Sequence, residues 1–196
     1  MRVLAVVCAM SVLGGCVMAE APQAGAWKIE RGYDRILGKP AGVALLNARS
    51  RNVRQQELRY PYDQLQLGSL QLTCFANAPV VRFEFNHRIG SNRTSRLSYR
   101  FDDNPGREAE ARFLPPYKTV LIEDPGEVAR FAEQLRKSST LYVRVTSHLA
   151  GTSTVEFPLK GAALAIDAAY QSCPIELPSK SPSADARPDP LYFVPT

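Results

Sequence analysis

The fold of this chain is decided by the stretch Leu70–Asp102, which reads LQLTCFANAPVVRFEFNHRIGSNRTSRLSYRFD. From Val81 to Ile89 every second residue is apolar or histidine, and arginine, glutamate and asparagine stand between them. The same alternation returns from Leu97 to Phe101, after a turn-forming Gly-Ser-Asn. Alternation with a period of two places one set of side chains on a buried sheet face and the other set in water. The stretch therefore predicts two strands joined as a β-hairpin.

Similar patterns on both sides of this stretch predict further strands and two helices. Strand-like segments lie at Trp27–Glu30, Val43–Asn47, Leu70–Cys74, Thr119–Ile122, Leu141–Val145 and Val155–Leu159, the last two joined as a second hairpin. Apolar residues at helical spacing predict helices over Glu127–Lys137 and Gly161–Cys173. The polar stretch Arg49–Arg59 is interpreted as a loop or a sheet edge. We expect a mainly β fold, an antiparallel β-sandwich or curled sheet of about seven strands with two short helices.

Length and composition are those of a single globular domain. The chain has 196 residues, of which 45% are hydrophobic and 22% are charged. Its net charge of +5 favours anionic partners only weakly.

The first residues have the character of an export signal. Residues 1–19 carry Arg2 followed by an apolar run that is too short, and too rich in Gly and Ser, to span a membrane. Two cleavage sites stay open: a cut before Glu20, or a lipobox-like Leu-Gly-Gly-Cys that would leave Cys16 lipidated. Both predict a periplasmic protein of a bacterial envelope, either soluble or held at a membrane by a lipid anchor. Nucleic acid is not expected as a partner in that compartment.

The rest of the chain divides into three parts. We expect a linker over residues 20–26, a β-rich domain over residues 27–173, and a disordered tail over residues 174–196 that is rich in proline. Trp27, the sole tryptophan, opens the domain and is interpreted as a core residue rather than a ligand-stacking one.

Two cysteines, Cys74 and Cys173, remain in the predicted domain. In an oxidising compartment an exported pair of this kind predicts one disulfide. Cys74 shares a face with Leu70 and Leu72, and Cys173 lies on the apolar face of the last predicted helix. Two free buried thiols are the alternative. A zinc site is disfavoured because the chain has no Cys-x-x-Cys motif and only two histidines.

The order of these motifs resembles a known family. Trp27, Leu70-x-x-x-Cys74, Tyr99-Arg-Phe-Asp, a helix, Phe157-x-Leu-x-Gly and a helix ending at Cys173 follow one another along the domain. This order is similar to that of the VasI/TagO-type accessory proteins of bacterial type VI secretion and, more loosely, of invasion-associated envelope proteins. The resemblance implies a β-rich envelope protein that serves a secretion assembly. Ala-Arg-Phe at residues 111–113 departs from the family, where a second tryptophan strand is expected.

The sequence offers few residues for catalysis. His87 is interpreted as a hydrogen-bonded core or edge histidine, and His148 as an exposed turn residue. Glu108 and Glu110 could share a face, although a solvated edge explains them as well. The chain contains no G-x-S-x-G elbow, P-loop, dinucleotide fingerprint or EF-hand. We therefore predict no catalytic residue, no metal and no cofactor.

Arginines on the polar side of the predicted first hairpin are the better candidates for function. They are Arg82, Arg88, Arg93, Arg96 and Arg100. On adjacent strands they would form a basic strip that recognises an anionic cell-wall polymer or an acidic patch of an envelope or secretion-system protein. The alternative is a solvated sheet face with exposed ion pairs, which stabilise a protein little.

Two functions from different classes follow. The first is a non-catalytic accessory or binding protein of the envelope. The second is a periplasmic hydrolase that acts on the cell wall, or an inhibitor of such a hydrolase.

Reversing Arg96 and Arg100 to Glu is expected to weaken capture of an anionic partner and to leave the melting temperature little changed, because exposed charges contribute little to folding. Affinity capture from cell envelopes, together with a thermal melt, measures both effects. Unchanged capture would exclude these two arginines from the binding surface.

Overall fold

One curled antiparallel sheet contains all ten strands in the parts of the chain that the computed structural model describes, residues 25–36, 38–52, 66–91 and 95–175. The strands are β1 (Lys28–Asp34), β2 (Lys39–Asn52), β3 (Leu67–Phe75), β4 (Ala78–Phe85), β5 (Ser95–Phe101), β6 (Arg107–Ala109), β7 (Arg112–Leu114), β8 (Thr119–Ile122), β9 (Thr140–Ser147) and β10 (Gly151–Pro158). The helices are α1 (Pro125–Lys137) and α2 (Ala162–Ala169). The expected mainly β fold with two short helices is confirmed as a curled sheet, with more strands than predicted.

The strand order explains the curl. It runs β6-β5-β9-β10-β2-β3-β4-β8-β7, and β1 pairs separately with β2. The end strands β6 and β7 are joined by only two residues, Glu110 and Ala111. So short a link spans about 10 Å at most, so the two ends of the sheet must lie close together. The sheet is therefore wrapped around its apolar face.

The predicted hairpin between the two strands of the central stretch is wrong. β4 pairs with β3 and β8, whereas β5 pairs with β6 and β9. Strands β9, β10, β2 and β3 lie between them in the sheet. Alternation predicts which face of a strand is buried, but it does not determine which strand is its neighbour. In addition, the nine residues between Phe85 and Ser95 are more than a tight hairpin turn contains. The second predicted hairpin is confirmed as β9 and β10, with Val143 opposite Val155.

Strand β2 is longer than predicted. Its 14 residues continue past Asn47 to Asn52, so that Arg49 and Arg51 belong to a strand and not to a loop. The extension pairs with β3 up to Arg49 and with β10 from Ser50. These pairings join the two halves of the sheet.

Helix α1 fills the inside of the curl. Its Phe131 is completely buried and makes edge-on contacts with Phe83 of β4 at 6.0 Å between ring centroids, and with Tyr99 and Phe101 of β5 at 5.1 Å each. Asp124 caps the N-terminus of the helix, and its carboxylate accepts a hydrogen bond from the backbone N–H of Glu127. Strands far apart in the sheet thus meet on one side chain of α1.

Helix α2 packs against β2. A Cβ added to Gly42 would lie 1.9 Å from the carbonyl oxygen of Ala168, so only glycine permits this approach. The helix ends at Ala169, and Cys173 lies in the turn beyond it, so the predicted extension of the helix to Cys173 is wrong.

The predicted disulfide joins Cys74 of β3 to Cys173, with their Cα atoms 5.9 Å apart. It closes a loop of 99 residues, for which the chain-entropy treatment gives a stabilisation of about 4.7 kcal/mol.

Trp27 is buried, as predicted for a core residue. The expected signal segment with Cys16, most of the linker, and the tail beyond Ile175 lie outside the described residues.

Replacing Phe131 by Ala is expected to lower the free energy of unfolding by about 3–5 kcal/mol, because the change leaves a cavity between α1 and two separate parts of the sheet. Urea denaturation measures the loss. Glu133→Ala is the control on the exposed side of the same helix and is expected to cost less than about 1 kcal/mol. Equal effects of the two substitutions would contradict a central role for Phe131.

Candidate functional site: an arginine groove

A wide groove lies on the outer face of the sheet, opposite the core. It is open to solvent, has a volume of about 920 Å³, and crosses strands β5, β9, β10 and β2. Four arginine side chains on that face define what we call the arginine groove: Arg49 and Arg51 of β2, Arg100 of β5 and Arg144 of β9. The inward residues that alternate with them, such as Val143 and Val155, belong to the core. Alternation along each strand therefore places these arginines in water.

Strand register sets the arginines in rows across the groove. One row runs Arg51–Thr154–Arg144–Ser98–Glu108, each residue directly opposite the next. Since neighbouring strands lie about 4.8 Å apart, the backbones of Arg51 and Arg144 are roughly 10 Å apart. The hydroxyls of Thr154 and Ser98 occupy positions beside the two arginines. The row thus alternates cationic groups with small polar ones.

A second row contains the aromatic residue of the groove. Tyr142 of β9 stands opposite Arg100 on one side and Glu156 on the other. The guanidinium carbon of Arg100 lies 4.6 Å from the centre of the Tyr142 ring, a cation–π contact that restrains the arginine side chain. This contact orients the guanidinium without neutralising its charge.

The four arginines carry charge that the described part of the chain does not neutralise. None of Arg49, Arg51, Arg100 and Arg144 belongs to any ion pair formed among the described residues. Two carboxylates also line the groove, and one of them, Glu108, is already paired with Arg96 at 3.3 Å. The groove is therefore a positive surface that can bind an anion.

The strip predicted from the sequence is not formed as one surface. Arg96 and Arg100 lie on β5, but Arg82 lies on β4 beyond four intervening strands and is paired with Glu84 at 2.8 Å. Arg88 follows β4, with its guanidinium 5.3 Å from the ring centre of Tyr117. Arg93 lies outside the described residues.

Only Arg100 of the predicted set lines the arginine groove, and Arg49, Arg51 and Arg144 were missed. One signal in the sequence could have indicated two of them, because from Leu46 to Arg51 the larger polar residues Asn47, Arg49 and Arg51 alternate with Leu46, Ala48 and Ser50. Their meeting with Arg144 depends on the pairing of β2 with β10, for which the sequence has no local signal.

A polar cluster around the buried Glu127 carboxylate supports one wall of the groove. Glu127, in the first turn of α1, accepts hydrogen bonds from the Tyr99 hydroxyl at 2.5 Å, from Arg107 at 2.9 Å and from Arg130 at 2.7 Å. Tyr99 and Arg107 stand opposite each other on β5 and β6. The cluster therefore attaches the end of the sheet that carries Arg100 to α1.

The cluster keeps Glu127 ionised. Burial by itself would raise the pKa of this carboxyl, but the hydrogen bonds from Arg130 and Tyr99 and the charges of Arg107 and Arg130 outweigh it, so the pKa lies below its usual range. Burial and the neighbouring Glu127 carboxylate raise the pKa of Tyr99, which stays a hydrogen-bond donor at neutral pH.

The residues considered for catalysis lie apart from one another or are inaccessible. His87 is half-buried, and its Nε2 is 3.0 Å from the hydroxyl of Ser153. Burial, and to a lesser extent the charge of Lys118, lowers the pKa of His87. Ser153 is only 1% exposed, so no substrate reaches its hydroxyl in this arrangement. His87 is thus a hydrogen-bonded histidine, as interpreted from the sequence.

The remaining catalytic candidates are on the surface. His148 is exposed in the turn between β9 and β10, and Glu108 and Glu110 are exposed at and just after β6. In the described ranges, no group of three or more His, Cys, Asp or Glu side chains is placed to hold a metal ion. No helix there has the length and apolar character needed to cross a membrane.

Comparisons of the chain with family models, with curated proteins and with solved structures each found no match.

Replacing Glu127 by Gln is expected to lower the free energy of unfolding at pH 7 by about 2 kcal/mol, because a buried carboxylate loses charge-assisted hydrogen bonds. Since the folded-state pKa of Glu127 is depressed, its contribution is present above the unfolded-state value of about 4.3 and is lost as the pH falls through the folded-state pKa.

Urea denaturation at a series of pH values from 7 downward measures this dependence. The difference between wild type and Glu127→Gln should shrink as the pH falls through the folded-state pKa of Glu127, where the wild-type carboxyl becomes protonated. The exposed Glu133→Gln is the control and should change little at either pH. A Glu127→Gln difference that is independent of pH would show that the charge of Glu127 does not stabilise the fold.

Proposed function

We propose that this protein is an exported, non-catalytic accessory protein of a bacterial envelope, which binds an anionic partner in the arginine groove. The observation that carries the proposal is the presence of four arginines on one open face with no carboxylate partner among the described residues. Guanidinium groups bind carboxylates and phosphates through paired hydrogen bonds, and in a groove they act together on one ligand.

Export is supported by two observations. The leader has the composition of a signal segment, and the Cys74–Cys173 bridge fits an oxidising compartment. If Cys16 is lipidated, a lipid anchor holds the domain at a membrane. The resemblance to VasI/TagO-type proteins supports a role beside a type VI secretion apparatus or another envelope assembly.

The competing hypothesis of a cell-wall hydrolase has less support. Hydrolysis needs a nucleophile or an acid–base pair that substrate can reach, and the Ser153 hydroxyl in the described histidine–serine contact is buried. An inhibitor of a hydrolase would itself be a binding protein, and it would use an exposed surface such as the arginine groove.

Reversing Arg51 and Arg144 together to Glu is expected to reduce partner capture at least about tenfold, because two charge-assisted contacts are replaced by repulsion. The measurement is crosslinked affinity capture of the tagged protein from intact cell envelopes, quantified by mass spectrometry at low and high salt. Wild-type capture should fall as salt increases.

The matched control is Arg31→Glu with Arg35→Glu, which makes the same change in net charge at exposed positions of the β1–β2 hairpin. It is expected to retain capture. Equal losses in the two double variants would show that net charge, and not the arginine groove, binds the partner.

A further inference from the structure

The arrangement of charge in the groove points to the chemical class of its ligand. We infer that the arginine groove binds an extended acidic peptide segment of a partner protein, laid across strands β2, β10, β9 and β5. This inference rests on the proposed function and identifies the partner of the same site.

The dimensions suit a short extended peptide. The groove crosses three strand spacings from Arg51 on β2 to Arg100 on β5, about 14 Å. An extended chain covers roughly 3.4 Å per residue, so five residues span that distance. Carboxylates at alternate positions of such a peptide point to one side about 7 Å apart, within reach of the long side chains of Arg51, Arg144 and Arg100. Three acidic side chains are the natural complement of these three guanidinium groups.

The hydroxyls between the arginines also suit a peptide. Ser98 and Thr154 are half-buried in the row that contains Arg51 and Arg144. The Ser98 hydroxyl can donate to a peptide C=O and accept from a peptide N–H, whereas the Thr154 hydroxyl already donates to the carbonyl oxygen of Arg51 at 3.5 Å and offers an acceptor to a peptide N–H. Carboxylates would contact the arginines while the backbone contacts these hydroxyls.

An acidic residue of the groove disfavours a uniformly anionic polymer. Glu156 stands opposite Tyr142 in the row that contains Arg100, and Glu108 ends the row that contains Arg144. A polymer with a negative charge on every unit would place some of its charges against the Glu156 carboxylate, whereas Glu108 is already paired with Arg96. A peptide can present a neutral or basic residue at the same place, so the mixed charge selects against the polymer.

The aromatic residue of the groove, Tyr142, also favours a peptide over a glycan. Sugars commonly bind proteins by laying a C–H face on an exposed aromatic ring. Tyr142 is the aromatic side chain on the outer face of the described groove, and the guanidinium of Arg100 already covers it at 4.6 Å. Tyr99, the other aromatic residue at the groove, points into the core and donates its hydroxyl proton to Glu127. In the described groove, a sugar would therefore have to compete with Arg100 for the Tyr142 ring.

The inference is tested by titrating the full exported chain with three synthetic probes. The first is the blocked peptide Gly-Glu-Gly-Glu-Gly-Glu-Gly, the second is the same peptide with Gln for each Glu, and the third is an oligogalacturonate with three carboxylates. Isothermal titration at low salt measures each affinity. The glutamate peptide is expected to bind at least about tenfold more tightly than either of the other two probes.

Variants assign the binding to the groove. Arg51→Glu with Arg144→Glu is expected to weaken the glutamate peptide at least about tenfold, whereas Arg31→Glu with Arg35→Glu leaves it unchanged. Glu156→Gln is expected to increase the affinity for oligogalacturonate more than the affinity for the glutamate peptide. The substitution removes a carboxylate that repels a uniformly charged polymer, whereas the peptide can place an uncharged glycine at that position.

Two results would overturn the inference, and they differ in what else they overturn. Tighter binding of oligogalacturonate than of the glutamate peptide, with sensitivity to the Arg51 and Arg144 reversal, would replace the peptide by an anionic glycan and leave the proposed function in place. If the Arg51 and Arg144 reversal leaves the binding of every probe unchanged, the result would exclude both the inference and the arginine groove as the binding surface.

Discussion

The packing of Phe131 inside the curled sheet is the contact on which the rest of the structure depends. Its ring meets Phe83 from β4 and both Tyr99 and Phe101 from β5, although four strands separate β4 from β5 in the sheet. Aromatic side chains bury large apolar areas, and edge-on contacts add to that stabilisation. One residue of α1 therefore holds together parts of the sheet that do not hydrogen-bond to each other. This internal packing stabilises the curl that the strand order and the short link between β6 and β7 require.

The arginine groove is a consequence of the same arrangement. Its arginines come from β2, β5 and β9, and they share one face because β10 pairs with both β2 and β9. The Glu127 cluster then attaches β5 and β6 to α1, so that the wall of the groove that carries Arg100 is fixed to the core. The arginine groove on the outer face and the buried Glu127 carboxylate on the inner face therefore belong to the same part of the sheet. A ligand bound in the groove would rest on a rigid sheet rather than on loops.

Hydrogen bonding also explains why the fold tolerates polar residues in its interior. Ser153 and Asn52 are almost completely buried, and the amide of Asn52 donates to the Ser153 hydroxyl at 2.7 Å and to the carbonyl of Ala150 at 3.0 Å. His87 completes this network through its contact with Ser153. Buried polar groups cost little when they are paired in this way. The network supports the junction of β2 with β10, the same junction that brings Arg51 beside Thr154.

Local patterns in the sequence determined much of this protein. Period-two alternation identified the main strands and their buried faces, helical spacing identified α1, and the shared face of Leu70, Leu72 and Cys74 indicated a cysteine turned toward the core. These properties depend on neighbouring residues, so they can be predicted from the sequence alone. Tertiary structure decided the pairing of β4 and β5, the length of β2, and which arginines meet. Which strands pair is determined by packing between segments that are distant in the sequence, above all around Phe131. The outer-face arginines are polar residues without a pattern that indicates which other strands lie beside them, so the sequence alone does not predict that they meet.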